Sequence, residues 1–147
     1  MKRVLALCSL LAVAACAPIV APAPVPPPPG PIVAAPPAGA RAFTVYFGWN
    51  RSWVGPSGMA ILQQAAAVYR AGGVASVQVI GYTDTSGSAG YNQRLSQRRA
   101  QHVAHALTRL GVPWTAMAIT ARGENDLAVP TANGVREPHN RRVTVLE

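Results

Sequence analysis

Residues 17–40 read APIVAPAPVPPPPGPIVAAPPAGA, a stretch that holds most of the chain's 14 prolines and no charged residue. Each proline removes a backbone donor and fixes φ, so the stretch cannot join a sheet ladder or continue a helix. The composition predicts an extended, polyproline-like spacer, which at about 3.1 Å per residue reaches at most about 75 Å. A docking ligand for an SH3-like partner would need basic residues beside the prolines, and the first one after them is Arg41. The spacer leaves residues 42–147 to supply a core, enough for one small domain.

Ahead of the spacer stands MKRVLALCSLLAVAAC. Lys2 and Arg3 precede an apolar run from Val4 to Ala15 that is too short to cross a bilayer as a helix and that closes on small residues. Residues 1–15 are therefore expected to be an export signal; a buried helix or an anchor would need a polar cap or charge after the run, and neither follows. The ending VAAC resembles the lipobox of bacterial lipoproteins. That resemblance implies that Cys16 is acylated and becomes the first mature residue, with 16–41 forming the lipidated cysteine and linker. Cys8 would leave with the signal, and thioether linkage would remove the one remaining thiol, which would otherwise be a liability in an oxidising compartment. Ala17, where aspartate would retain a lipoprotein at the inner membrane, implies sorting to the outer membrane.

From Ala42 the patterning is that of a globular fold. AFTVYF alternates Phe43, Val45 and Phe47 on one face and predicts a strand. A helix is expected from about Ser57 to Arg70, stopped by Gly72 and Gly73, followed by a strand in VASVQVIGY. A second helix should run from about Ala89, capped by Ser88, to Leu110, ending at Gly111 with Pro113 beyond. MAITARG and RRVTVL complete the strands, separated by a long polar loop at 123–139. The order β-α-β-α-β-β implies an α+β fold, a two-layer sandwich with two helices on one face of a mixed sheet.

The second helix carries the most informative misfit. Stepped round at 100° per residue, Leu95, Val103, Ala106, Leu107 and Leu110 form an apolar stripe, while Arg94, Arg98, His105 and Arg109 fall on the wet side. Arg99 falls inside the apolar stripe, where an unpaired guanidinium would cost several kcal/mol, so it needs an acidic partner or an anionic ligand. Only five acidic residues exist, and one of them, Asp84, sits in the small-residue loop GYTDTSGS just past the carboxyl end of a strand. Two arrangements satisfy both groups. One is an internal Asp84–Arg99 salt bridge; the other sets the pair apart at a solvated mouth, where it grips a ligand bearing both an ammonium and a carboxylate.

GYTDTSGSAGYNQRLSQRRAQHVAHALTRLGVP, ITARGENDLAVP and NRRVTV together resemble the OmpA-like peptidoglycan-binding domain. That family runs through a T-D-x-x-G loop, Y-N-x-x-L-S-x-x-R-A, a G-E loop and a closing N-R-R-V, and the likeness covers about residues 42–147. The resemblance implies that Asp84 and Arg99 bind the diaminopimelate of the cell-wall peptide stem, with Thr83, Asn92 and Arg141 at the same pocket. It favours the ligand-gripping arrangement of the pair. Tyr82 stands where the family commonly has histidine, and is expected to bear on the orientation of Asp84. GWNRSW lacks the acidic residues the family often has after the first strand.

Other chemistry is poorly supported. His102 and His105 have no third ligand nearby in sequence, so no metal is expected, and no cofactor is implied. Ser96, His102 and Asp84 could compose a triad on paper, but no nucleophile elbow surrounds any serine, so the chain is not expected to be an enzyme. A formal net charge of +8 invites nucleic acid as a partner, which export and lipidation exclude. The basic surface is expected to face cell-wall polymers or lipid head groups. The combined expectation is an outer-membrane lipoprotein, lipid-anchored with its domain in the periplasm, tethering that membrane to peptidoglycan; other envelope proteins are possible partners. The alternative is a scaffold subunit of an envelope assembly whose pocket is unused.

Overall fold

A computed structural model describes residues 41–72 and 74–147. The expected export signal at 1–15, Cys16 and the proline-rich stretch expected to be a spacer lie outside the described residues.

Four strands and two helices follow one another as anticipated: β1 (Ala42–Tyr46), α1 (Pro56–Arg70), β2 (Val77–Tyr82), α2 (Ala89–Arg109), β3 (Met117–Gly123) and β4 (Arg142–Leu146). Local chemistry sets the boundaries. Pro56 opens α1, where its missing N–H is no loss, and Gly72 just beyond the end has φ +85°. The Ser88 hydroxyl caps α2 by accepting from the Tyr91 N–H at 3.3 Å. Gly111, at φ +97°, reverses the chain after α2 so that the Val112 N–H donates to the Leu107 carbonyl.

The sheet order is β1-β4-β2-β3, with β4 antiparallel to both neighbours and β2 parallel to β3. Its register aligns the apolar positions. Phe43, Val145, Val79 and Ile119 form one row and Val45, Val143, Gly81 and Ala121 the next, all on the face that the helices cover. Leu62, Ala65 and Ala66 of α1 and Val103, Ala106 and Leu107 of α2 complete the core. The other sheet face carries Thr44, Thr144, Gln78 and Thr120. The α+β expectation of two helices on one face of a mixed sheet therefore holds. Among the described residues every buried apolar one lies between Val45 and Val145, so this segment has a core of its own.

Gly81 positions the functional end of the fold. A Cβ there would come within 2.2 Å of the Ser96 carbonyl oxygen. The missing side chain lets the amino-terminal half of α2 lie directly on the end of β2, the place from which the loop carrying Asp84 departs.

Candidate functional site

Three segments converge at that end of the sheet: the loop after β2, the first turns of α2 and the irregular stretch after β1. With Arg141 from the start of β4 they enclose a cleft of about 460 Å³. Asp84, Asn92, Arg99 and Arg141, four of the five binding residues expected from sequence, all line it.

Asp84 is nearly buried, with both carboxylate oxygens occupied. Oδ1 accepts from the Ser86 hydroxyl at 2.6 Å and the Ser86 N–H at 3.3 Å, and Oδ2 accepts from Arg141 Nη1 at 3.1 Å. Burial pushes the carboxyl up, but the Ser86 hydroxyl, Arg141 and the Ser86 amide together outweigh it and hold Asp84 below the ordinary aspartate range. A folded pKa below the unfolded one means that Asp84 stabilises the fold above about pH 4, and that this stabilisation is lost as pH falls through the lower folded value. Asp84→Asn should therefore flatten the acid limb of the stability profile; urea unfolding at neutral pH and near pH 3 is the check, and equal acid sensitivity in both proteins would contradict it.

Arg99 is 0 % exposed and forms the floor of the cleft. Its partner is not Asp84. Nε donates to the Arg51 carbonyl at 2.8 Å, Nη1 to Tyr82 at 2.9 Å and Nη2 to Gly48 at 3.2 Å, with the guanidinium carbon 5.3 Å from the centre of the Phe47 ring. The internal Asp84–Arg99 salt bridge is thus replaced by an Asp84–Arg141 pair, and the solvated mouth is replaced, for Arg99, by a buried seat of backbone carbonyls. Two of the three carbonyls, those of Gly48 and Arg51, come from the stretch after β1, which has left the ladder and turns them onto the guanidinium, and the third from the end of β2. A guanidinium has five N–H groups, so one on Nη1 and one on Nη2 remain after these three bonds. Burial pulls the Arg99 pKa down to about 10, with Asp84 opposing.

The remaining members are held by neighbours that sequence reasoning missed. Asn92 Nδ2 donates to Glu124 Oε2 at 2.6 Å, so the glutamate of the G-E loop fixes the amide. Arg141 Nε donates to the Phe47 carbonyl at 3.0 Å, which leaves Nη1 for Asp84. Thr85 pins the long 123–139 loop, donating to the Ala132 carbonyl at 2.7 Å and accepting from the Val135 N–H at 3.1 Å. Asn140 does the same at the far end, bonding both the N–H and the carbonyl of Val129 at 2.8 Å. Trp49 forms one wall, with the Arg136 guanidinium carbon 3.9 Å from its ring centre, and Tyr91 bonds Asn50 beside it.

Thr83 is the expected binding residue that does not line the cleft. Its N–H donates to the Gly123 carbonyl at 2.7 Å, continuing the extended run of β2, so that successive side chains alternate and Thr83 and Asp84 diverge. Its hydroxyl is buried without a protein partner. Tyr82 leaves the orientation of Asp84 to Ser86 and Arg141. Its ring stacks under the Arg142 guanidinium at 3.8 Å, and only its carbonyl serves the site, through Arg99. Burial pushes the Tyr82 phenol up, with Arg142 opposing.

The residues of the two weaker constellations have other partners. Ser96 is fully buried, donates to the Gln93 carbonyl at 2.8 Å and accepts from the Gly123 N–H at 2.9 Å, so its hydroxyl holds β3 against α2. His102 Nδ1 lies 2.6 Å from the Ser52 carbonyl, and His105 packs on Trp114 with ring centres 5.0 Å apart.

Residues 46–141 match the sequence profile of the OmpA family. An outer membrane protein of Gluconacetobacter diazotrophicus is 43% identical over 116 residues, 75% of this chain and 31% of the relative. The outer-membrane lipoprotein YfiB of Pseudomonas aeruginosa is 30% identical over 102 residues, 69% of this chain and 61% of that one. The chain thus spans about a third of the first relative and less than two thirds of the second. Among solved structures, the peptidoglycan-associated lipoprotein from Burkholderia pseudomallei superposes with a TM-score of 0.64 at 30% identity, over 71% of this chain and 89% of that one. The OmpA-like domain of FopA1 from Francisella tularensis, at 24% identity and a TM-score of 0.65, shares the fold. Sequence profile, relatives and architecture agree, and the chain belongs to the OmpA family.

Proposed function

We propose that this chain is an outer-membrane lipoprotein, anchored through Cys16, whose domain at 42–147 binds peptidoglycan non-covalently by gripping diaminopimelate in the peptide stem. The observation that carries the reading is the cleft itself. One buried carboxylate and two arginines meet around about 460 Å³ of space, with Asp84 suited to an ammonium and the residual N–H groups of Arg99 to a carboxylate. Leu95 and Trp49 supply apolar wall for the methylenes between those two ends. Asn92, fixed by Glu124, adds a polar contact in the buried lining of the cleft. The domain faces the periplasm, and its relatives, an outer membrane protein and an outer-membrane lipoprotein by name, support the envelope assignment.

Pull-down on purified sacculi tests the proposal. The parent should be retained and released by free diaminopimelate, and Asp84→Asn should bind about 30-fold more weakly, as expected for loss of a desolvated charge-assisted contact worth about 2 kcal/mol. Retention of the variant at parental strength would remove Asp84 from the site. A second reading, a scaffold subunit that keeps the fold and leaves the pocket idle, draws on the complete burial of Arg99 and its three carbonyl partners. Failure of the well-folded parent to bind sacculi would favour that reading.

The anchor and tether make a separate prediction. Cys16→Ser should move the protein from the membrane fraction to the soluble periplasm while the domain stays folded, because the residues from Val45 to Val145 carry a core of their own. Shortening 17–40 should leave sacculus binding in vitro unchanged and weaken only simultaneous engagement of membrane and wall in cells. A membrane-bound Cys16→Ser protein would contradict the lipid anchor.

A further inference from the structure

The helical layer has a charge pattern that the cleft does not use. Neither α1 nor α2 contains an acidic residue, and all five acidic residues of the chain lie in loops or at the carboxyl terminus. Along the outer side of α2 the basic positions Arg94, Arg98, His102, His105 and Arg109 recur at spacings of three and four, an exposed stripe running most of a helix about 30 Å long. Beside its carboxyl half a groove of about 350 Å³ is lined by Trp53, Val54, Met59, His102, His105 and Arg109. Trp53 is 59 % exposed and Trp114, packed on His105, is 44 % exposed.

We infer that this face docks on an anionic phospholipid surface. A basic stripe alone would suit any polyanion; one exposed indole in a groove lined also by Val54 and Met59, and a second packed on His105 of the same groove, add what a bilayer interface offers and a soluble acidic polymer does not. Indoles settle at head-group depth, where one edge is apolar and the other wet, and arginines reach phosphates from the same plane. Arg94, Arg98 and Arg109 meet the phosphates, and the groove takes the glycerol and upper acyl region of one lipid beside Arg109. The attraction is electrostatic in range and interfacial in contact, so it falls with salt.

The test uses residues 41–147, which carry their own core and no acylation site, mixed with vesicles of phosphatidylcholine alone or of phosphatidylcholine with phosphatidylglycerol. The domain should sediment with the anionic vesicles, less so at high salt, with a blue shift of tryptophan emission. Each arginine near an anionic surface is worth roughly fivefold in partitioning, so Arg94→Gln with Arg98→Gln and Arg109→Gln should lower it on the order of 100-fold. Trp53→Ala should lower it further without changing diaminopimelate-sensitive sacculus binding. Equal partitioning onto neutral vesicles would overturn the inference, as would parental partitioning of the folded triple variant. Equally tight binding to soluble polyglutamate with no emission shift on vesicles would assign the face to an acidic polymer instead.

Discussion

Arg99→Ala should destabilise the domain by about 3–5 kcal/mol, the range for removing one partner from a buried charged network. The carbonyls of Arg51 and Tyr82 lose this donor at once, and that of Gly48 keeps only the Arg51 N–H. Phe47 loses the cation above its ring as well. Arg99→Lys keeps the charge but cannot bond three diverging carbonyls from one planar fork, so it should recover only part of the loss. Arg98→Ala, one position away on the exposed side, should change stability by no more than about 0.5 kcal/mol. Chemical unfolding of the three variants decides it. A well-folded Arg99→Ala protein with parental stability would show that the carbonyl seat contributes nothing net.

Gly81→Ala is the second large effect, and its cause is steric. The added carbon would stand 2.2 Å from the Ser96 carbonyl oxygen and 3.0 Å from its carbon, both of them helix backbone that no rotamer change can move. Either α2 lifts from β2 or the strand shifts, and each route breaks the approach that lets Ser96 accept from Gly123 and Arg99 reach Tyr82. A cost of about 3 kcal/mol or more is expected, in the range of overpacking at a rigid contact. Because the contact lies beneath the cleft, sacculus binding should fall along with the melting temperature. Full binding in a stable Gly81→Ala protein would mean that the helix end is free to move.

The sequence is legible where one residue type has one physical use. Ser88, Gly111 and Pro56 mark helix ends, and the period-2 alternation around Val45, Val79 and Val143 marks strands, so elements and layers follow from local rules. Arg99 is legible as a misfit because a helical wheel places it among Leu95, Val103 and Ala106, and it is indeed buried. What it bonds is not legible. Its acceptors are carbonyls, which every residue possesses, in an irregular stretch whose path no periodicity describes. The Asp84–Arg141 pair joins positions 57 residues apart and depends on β4 lying beside β2, a strand order that the β-α-β-α-β-β sequence alone leaves open. Thr85 and Asn140 clasp the 123–139 loop by bonds to its main chain, and neither residue type is distinctive enough to announce that role.

The central claim is that Asp84 and Arg99 read the two ends of one zwitterion. Calorimetric titration of the domain with diaminopimelate, 1,5-diaminopentane and pimelate separates those ends, since 1,5-diaminopentane lacks both carboxylates and pimelate lacks both ammonium groups. Diaminopimelate should bind, and each analogue should bind at least about tenfold more weakly, the least expected for a charge-assisted contact worth about 1.4 kcal/mol. Equal affinity for all three, or no binding of diaminopimelate by the folded domain, would contradict the account.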